Sequence, residues 1–210
     1  MIVKYLDALN QRRIVLASQS PRREQLLNLI GLKARKHPSR FEENLRPSDF
    51  ASSGEYAVTT AMHKAKDVAA SLQNDPVDLI IAADTVVELA GEVLEKPSDK
   101  NDAVQTLMRL AGRNHWVFTG VVLLLPSSAA EPLIRTFVTG SRVVFEDFDR
   151  DEAVAYVDTG EPMDKAGSYG IQGMGSVLVK EIDGCYFNVM GLPVSALANQ
   201  LKMLIEEGLL

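Results

Sequence analysis

Ile14-Val15-Leu16-Ala17-Ser18-Gln19-Ser20-Pro21-Arg22-Arg23-Glu24-Gln25-Leu26-Leu27 is the stretch from which the fold can be read. Ile14 to Ala17 is a short apolar run with β-branched residues, as in a strand covered on both faces. Ser20 and Pro21 then supply a helix N-cap and a proline at the first helical position. A strand therefore runs straight into a helix, whose apolar stripe is Leu26, Leu27 and Ile30 and whose stop is Gly31. Arg22 and Arg23 stand against this pattern. Two cations in a first helical turn meet a macrodipole that is already positive, at a cost of roughly 0.3–1 kcal/mol each unless an anion compensates. With the hydroxyls of Ser18 and Ser20 and the free backbone N–H groups, they form a candidate phosphate site. From this stretch alone, pairing with carboxylates or extension into solvent is the equal alternative.

Outward from that stretch, Ile2, Leu6 and Leu9 predict a short leading helix, and residues 32–37 a second strand. Residues 40–47 are a polar loop carrying Glu42 and Glu43, read locally as solvated carboxylates or a cation site. Ala57, Ala61, Ala65, Val68, Ala69 and Leu72 predict an amphipathic helix over 55–72, with Lys64 at the edge of its stripe. Leu79-Ile80-Ile81-Ala82-Ala83 reads as an interior strand that stops at Asp84-Thr85. A carboxylate at the carboxyl end of such a strand lies where α/β sheets place ligands, and Ser18 ends the opening strand in the same way. Residues 86–94 read as a hairpin turned at Ala90-Gly91, leading to Glu95-Lys96-Pro97.

A helix over 101–111 is capped by Ser98 or Asp99, and long strands over 116–125 and 133–145 are joined by residues 126–132. Asp149 and Glu152 form a capping box for a helix reaching about residue 158. The glycine-rich run 160–173 either brings backbone close to a ligand or makes a tight structural loop, and it has neither the Walker nor the dinucleotide-binding pattern. Residues 177–182 and 186–189 read as a hairpin turned at Asp183-Gly184, and a last helix begins at Pro193. With no repeat, linker or low-complexity tract, residues 1–210 read as one α/β unit with two lobes around a cleft.

Composition limits what that unit can do. A chain of 210 residues, 46% hydrophobic and 24% charged, is long enough to be an enzyme with a sizeable core. No apolar run approaches a membrane span, and Lys4 and Asp7 break up the N-terminal apolar residues, so no secretory signal is expected and the cytoplasm is the default location. One cysteine, Cys185, excludes an internal disulfide framework and a thiolate zinc cage, and His37, His63 and His115 lack metal-ligand spacing. A net charge of −6 argues against broad nucleic-acid binding but not against a small basic pocket.

Four segments taken in order resemble the Maf family of nucleoside triphosphate pyrophosphatases: Leu16 to Arg23, Ala83-Asp84-Thr85, Leu94-Glu95-Lys96-Pro97, and Asp164 to Gly173. The chain is also similar to the Maf-like domain of eukaryotic acetylserotonin methyltransferase-like proteins, without a methyltransferase portion. The resemblance implies a mixed-sheet α/β fold related to the inosine triphosphate pyrophosphatases, with two lobes around a central nucleotide-binding cleft, often as a homodimer. It implies hydrolysis between the α and β phosphates of dTTP and UTP, and of modified pyrimidine nucleotides, with magnesium or manganese. By motif position, Ser18, Arg23, Lys64 and Lys96 hold phosphates. Glu43, or Glu42 if the alignment shifts by one, and Asp84 serve metal and water. Asp84 is the proton acceptor or a metal ligand, and Arg22, Thr85 and Gln172 bear on base selection. The family's association with arrest of cell division leaves a non-catalytic, nucleotide-sensing regulator as the alternative.

Overall fold

The computed structural model describes residues 1–127 and 131–210. A single-turn 3-10 segment, Ile2–Tyr5, leads into α1 (Leu6–Asn10), followed by β1 (Ile14–Ala17) and α2 (Pro21–Leu29). Ser20 is the N-cap of α2, but its side chain makes no capping hydrogen bond. The second strand is shorter than its apolar content predicts: only β2 (Arg35–Lys36) pairs, parallel to β1 at Val15 and Leu16.

The remaining elements are α3 (Ser53–Ser71), β3 (Leu79–Leu89), β4 (Glu92–Leu94), α4 (Lys100–Leu110), β5 (Asn114–Leu125), β6 (Leu133–Phe145), α5 (Arg150–Asp158), β7 (Val179–Asp183), α6 (Tyr186–Met190) and α7 (Val194–Glu206). Asp99, not Ser98, caps α4, and the capping box of Asp149 and Glu152 is present. Part of the 126–132 connection, residues 128–130, lies outside the described residues. The strands form one mixed sheet in the order β2-β1-β3-β5-β6-β7, with β4 also on β3. β1 runs parallel to β2 and β3, and the other pairings are antiparallel.

Two expectations are corrected. First, the strand expected to stop at Asp84 continues to Leu89, because β5 pairs with β3 all the way from Ile80 to Glu88. What ends there is the pairing on the other edge. β1 leaves β3 after Ala82, and β4 joins it only at Val87. Residues 83–86 thus lie in a gap between two neighbours, and the crevice expected at a strand end opens there instead. Second, residues 186–189 are helical rather than a strand. Their centre, Asn188, is fully buried and donates through Nδ2 to Val117 O (2.9 Å) and Ser141 Oγ (3.0 Å). A strand would have turned alternate residues away from that long-range anchor. Gly191, at φ 113°, ends the turn.

Side-chain alternation divides the core. Val15, Ala17, Ile80 and Ala82 face α3, where they pack with Ala61, Ala65 and Val68. Ile14, Leu16, Leu79, Ile81 and Ala83 face the other way, towards Leu26 and Leu27 of α2 and Leu197 and Leu201 of α7. On that second face a separate cluster gathers Val87, Leu89, Val117 and Phe145 with Leu107 of α4 and Tyr156 of α5. Between the two clusters the pattern turns polar at Thr85, Thr119, Ser141 and Asn188, which are hydrogen-bonded to one another or to neighbouring backbone. Two lobes therefore share one sheet, separated by a polar seam. No helix among the described residues is long and apolar enough to cross a membrane.

Candidate active site

The period-2 alternation of β3 sends Asp84 to the α3 face and Thr85 to the α2 face. On α3, Lys64 lies seven residues after Ala57 and three after Ala61, continuing the buried stripe. The two meet: Lys64 Nζ donates to Asp84 Oδ1 at 2.8 Å, and both residues are more than nine-tenths buried. Close approach is possible because Gly120, the β5 partner of Asp84, lies against the backbone of α3. A Cβ there would overlap Val58 N and come within 2.6 Å of Ala57 C.

Glu43 reaches the same ammonium, with its Oε1 2.9 Å from Lys64 Nζ. Burial pushes the Glu43 carboxyl up, but Lys64, Lys96 and Arg23 outweigh it and hold the group below its ordinary range. The loop carrying Glu43 is fastened to α3 through Asp67, which accepts from Ser39 Oγ and Arg40 N, both at 2.8 Å. Phe41 stacks on His63, with ring centroids 4.7 Å apart. Glu42 is not among the residues lining the cleft.

On the other face the two arginines of α2 part company. Arg22 approaches Asp164 across the cleft, NH1 to Oδ2 at 3.5 Å. Arg23 is 9% exposed and forms no ion pair among the described residues. Its three bonds run to neutral acceptors: Gly191 O (2.8 Å), Ser18 Oγ (3.2 Å) and Thr85 Oγ1 (3.0 Å). Burial pulls its guanidinium down from the ordinary value, with the Asp84 charge opposing. A buried guanidinium whose direct hydrogen-bond partners are all neutral is poised for an anion.

Lys96 is exposed and follows Glu95, whose side chain accepts from Tyr56 OH (3.0 Å) and whose carbonyl accepts from Gly167 N (3.1 Å). Gln172 is exposed on the glycine-rich turn. All nine candidates, Ser18, Arg22, Arg23, Glu43, Lys64, Asp84, Thr85, Lys96 and Gln172, line one cleft of about 650 Å³. It is also lined by Phe41, Glu161, Asp164, Lys165 and Tyr169, which sequence reasoning did not single out. The motif 164–173 contained three of these, whereas Phe41 and Glu161 carry no local signal.

A family model described as Maf-like protein matches residues 13–204. The chain belongs to the Maf family. A Desulforamulus reducens relative named dTTP/UTP pyrophosphatase is 43% identical, over 91% of this chain and 96% of that protein. One of the same name from Carboxydothermus hydrogenoformans is 42% identical, over 90% and 97%. A human relative, named probable bifunctional dTTP/UTP pyrophosphatase/methyltransferase protein, is 43% identical over 95% of this chain, which spans only 33% of that protein. Among solved structures, a HAM1 protein from Coxiella burnetii matches with a TM-score of 0.44 at 16% identity, over 91% of this chain and 99% of that one.

This Maf-family cleft offers a divalent cation a limited donor set. Among the described residues no group of three or more His, Cys, Asp or Glu side chains could hold a metal. Two carboxylates, Glu43 and Asp84, do converge on the point that Lys64 Nζ occupies. One or two carboxylates completed by substrate phosphates and water is the arrangement magnesium favours, so the residues fit a cation shared with a phosphate substrate rather than a protein cage.

Proposed function

We propose that the chain is a nucleoside triphosphate pyrophosphatase that hydrolyses dTTP and UTP, and modified pyrimidine triphosphates, to the monophosphate and pyrophosphate. The observation that carries this reading is the buried Arg23, without an ion pair among the described residues, sharing a cleft with Lys64, Lys96 and the carboxylates of Glu43 and Asp84. A nucleoside triphosphate brings about four negative charges, which such a cluster can neutralise in an otherwise acidic protein. The relatives' names point to the same reaction.

In the reaction water attacks the α-phosphorus, the α–β bridging bond breaks, pyrophosphate departs with the bridging oxygen, and one proton is released. Ser18, Arg23, Lys64 and Lys96 hold and orient the phosphates, stabilising charge that spreads over their oxygens. Asp84 orients the water and accepts its proton, while Lys64 fixes that carboxylate by a direct hydrogen bond. Glu43 closes the pocket from the loop side. Glu43 and Asp84 would hold a divalent cation, magnesium or manganese, which would supply Lewis-acid polarisation of the phosphoryl group. Arg22, Thr85 and Gln172 face the nucleoside end and bear on base selection. The reading includes residues 1–210 acting as one unit, a cytoplasmic location, a homodimeric state and no stable nucleic-acid partner.

The test is pyrophosphate release from a panel of triphosphates with magnesium, manganese or a chelator, wild type beside Asp84→Asn. Turnover of pyrimidine triphosphates that is lost in the variant and in chelator is expected. Stoichiometric nucleotide binding without turnover would replace the enzyme by a nucleotide-sensing regulator.

A further inference from the structure

Gln172 stands on a turn that is neither long helix nor ladder, so its position depends on side chains. Two residues supply it. Tyr156, on the buried face of α5, accepts from Gly170 N (3.2 Å) and donates to Glu161 Oε1 (2.8 Å). Glu161 accepts from Met174 N at Oε2 (2.8 Å) and from Gly175 N at Oε1 (3.0 Å). The phenol and the carboxylate thus grip the turn before and after Gln172 as one unit.

The grip leaves no room for side chains between it and the turn. A Cβ on Gly173 would overlap the Glu161 carboxylate, and one on Gly175 would come 2.5 Å from Tyr156 OH. Behind Glu161, Lys165 Nζ bonds to the Glu161 carbonyl and to Asp164 Oδ1, tying the start of the segment to the same point. Burial pushes the Glu161 carboxyl up, but the amides of Gly175 and Met174 and the Tyr156 hydroxyl outweigh it and keep it ionised.

We propose that Glu161 is a positioning residue that sets nucleobase selection by clamping the 170–175 turn that presents Gln172. The proposal rests on the reading of Gln172 as a base-selecting side chain. A carboxylate accepts from both amides at once. A carboxamide of the same shape accepts at one oxygen and presents N–H to the other amide, so one of the two bonds after Gln172 is lost and the turn is loosened there while the bulk is kept.

The experiment compares wild type, Glu161→Gln, Tyr156→Phe and Gln172→Ala for pyrophosphate release from UTP, dTTP, CTP and GTP, with melting temperatures for each. The expected result is a fall of about tenfold in the UTP-over-CTP ratio of kcat/KM for Glu161→Gln, carried by KM, and a smaller fall for Tyr156→Phe. Gln172→Ala should shift the ratio in the same direction. An unchanged ratio in both clamp variants, with Gln172→Ala shifted, overturns the clamp and leaves the base-selection reading standing. An unchanged ratio in Gln172→Ala overturns that reading and the clamp with it. Should Glu161→Gln fail to fold, Tyr156→Phe alone decides: a shifted ratio supports the clamp, and an unshifted one overturns it.

Discussion

The two lips of the cleft are built by opposite means. On one, Arg23, Lys64, Asp84 and Thr85 project from strands and helices whose backbone is fixed by ladders and helical turns, Ser18 follows directly on β1, and four of these five are more than nine-tenths buried. On the other, residues 160–175 are a succession of short 3-10 turns held by side chains that reach the backbone: Tyr156, Glu161 and Lys165. In the proposed reading the first lip meets the phosphates common to any triphosphate, with Arg22 and Thr85 at its nucleoside end, and the second presents Gln172 to the base. A rigid scaffold suits the reacting phosphate, where small displacements are costly, and an adjustable turn suits the base.

The largest effect expected is at the rigid lip. Asp84→Asn should lower kcat by roughly a thousandfold for every base alike while nucleotide still binds by calorimetry. Retained turnover would take Asp84 out of the chemistry. Next comes acid, which should attack the lip backed by His115. This imidazole is buried, with Nε2 2.8 Å from Tyr169 OH, and burial alone pushes its pKa from 6.5 down to about 4. The unfolded chain binds that proton first. Stability is therefore complete above pH 6.5 and is lost as pH falls toward 4, by up to about 3 kcal/mol. Urea unfolding of wild type and His115→Gln across that range should show the steeper slope in wild type, and equal slopes would place the acid lability elsewhere.

Arg23→Lys should raise KM by about tenfold to a hundredfold with no preference among bases, because an ammonium cannot reproduce the fork that meets Gly191, Ser18 and Thr85. A base-dependent change would move Arg23 to the selecting lip. The smallest effect tests a residue on neither lip. Asp99 caps α4 by accepting from Asp102 N at 2.9 Å, and Asp99→Ala should cost about 1 kcal/mol in chemical denaturation with kinetics untouched.

What could be read from the sequence follows the same division. Strand β1, helix α2, the stripe placing Lys64 and the Asp149 capping box are local patterns, repeating within one or two turns of chain, and they stand in the structure as expected. The fork between Arg22 and Arg23 was not local. Which of them finds a carboxylate depends on Asp164, far along the chain. Likewise α6 departs from the expected strand because Asn188 donates to Ser141 Oγ, 47 residues away. The gap in β3 pairing required knowing that β1 and β4 share one edge, a matter of strand order that no single segment encodes. Glu161 carries no local signal, because a lone glutamate after a helix has no signature until the amides of Met174 and Gly175 are folded around it.

The polar seam through Thr85, Thr119, Ser141 and Asn188 has a mechanical meaning. Among the described residues β3, β5 and β6 run continuously beneath both lobes, so the lobes are joined through paired strands and not through a single flexible connector. Any narrowing of the cleft must be elastic, taken up as added twist in three continuous strands, like a leaf spring bent at its middle. Ligand seated in the cleft would then be felt as slower amide exchange far out along β6, a strand none of whose residues lines it.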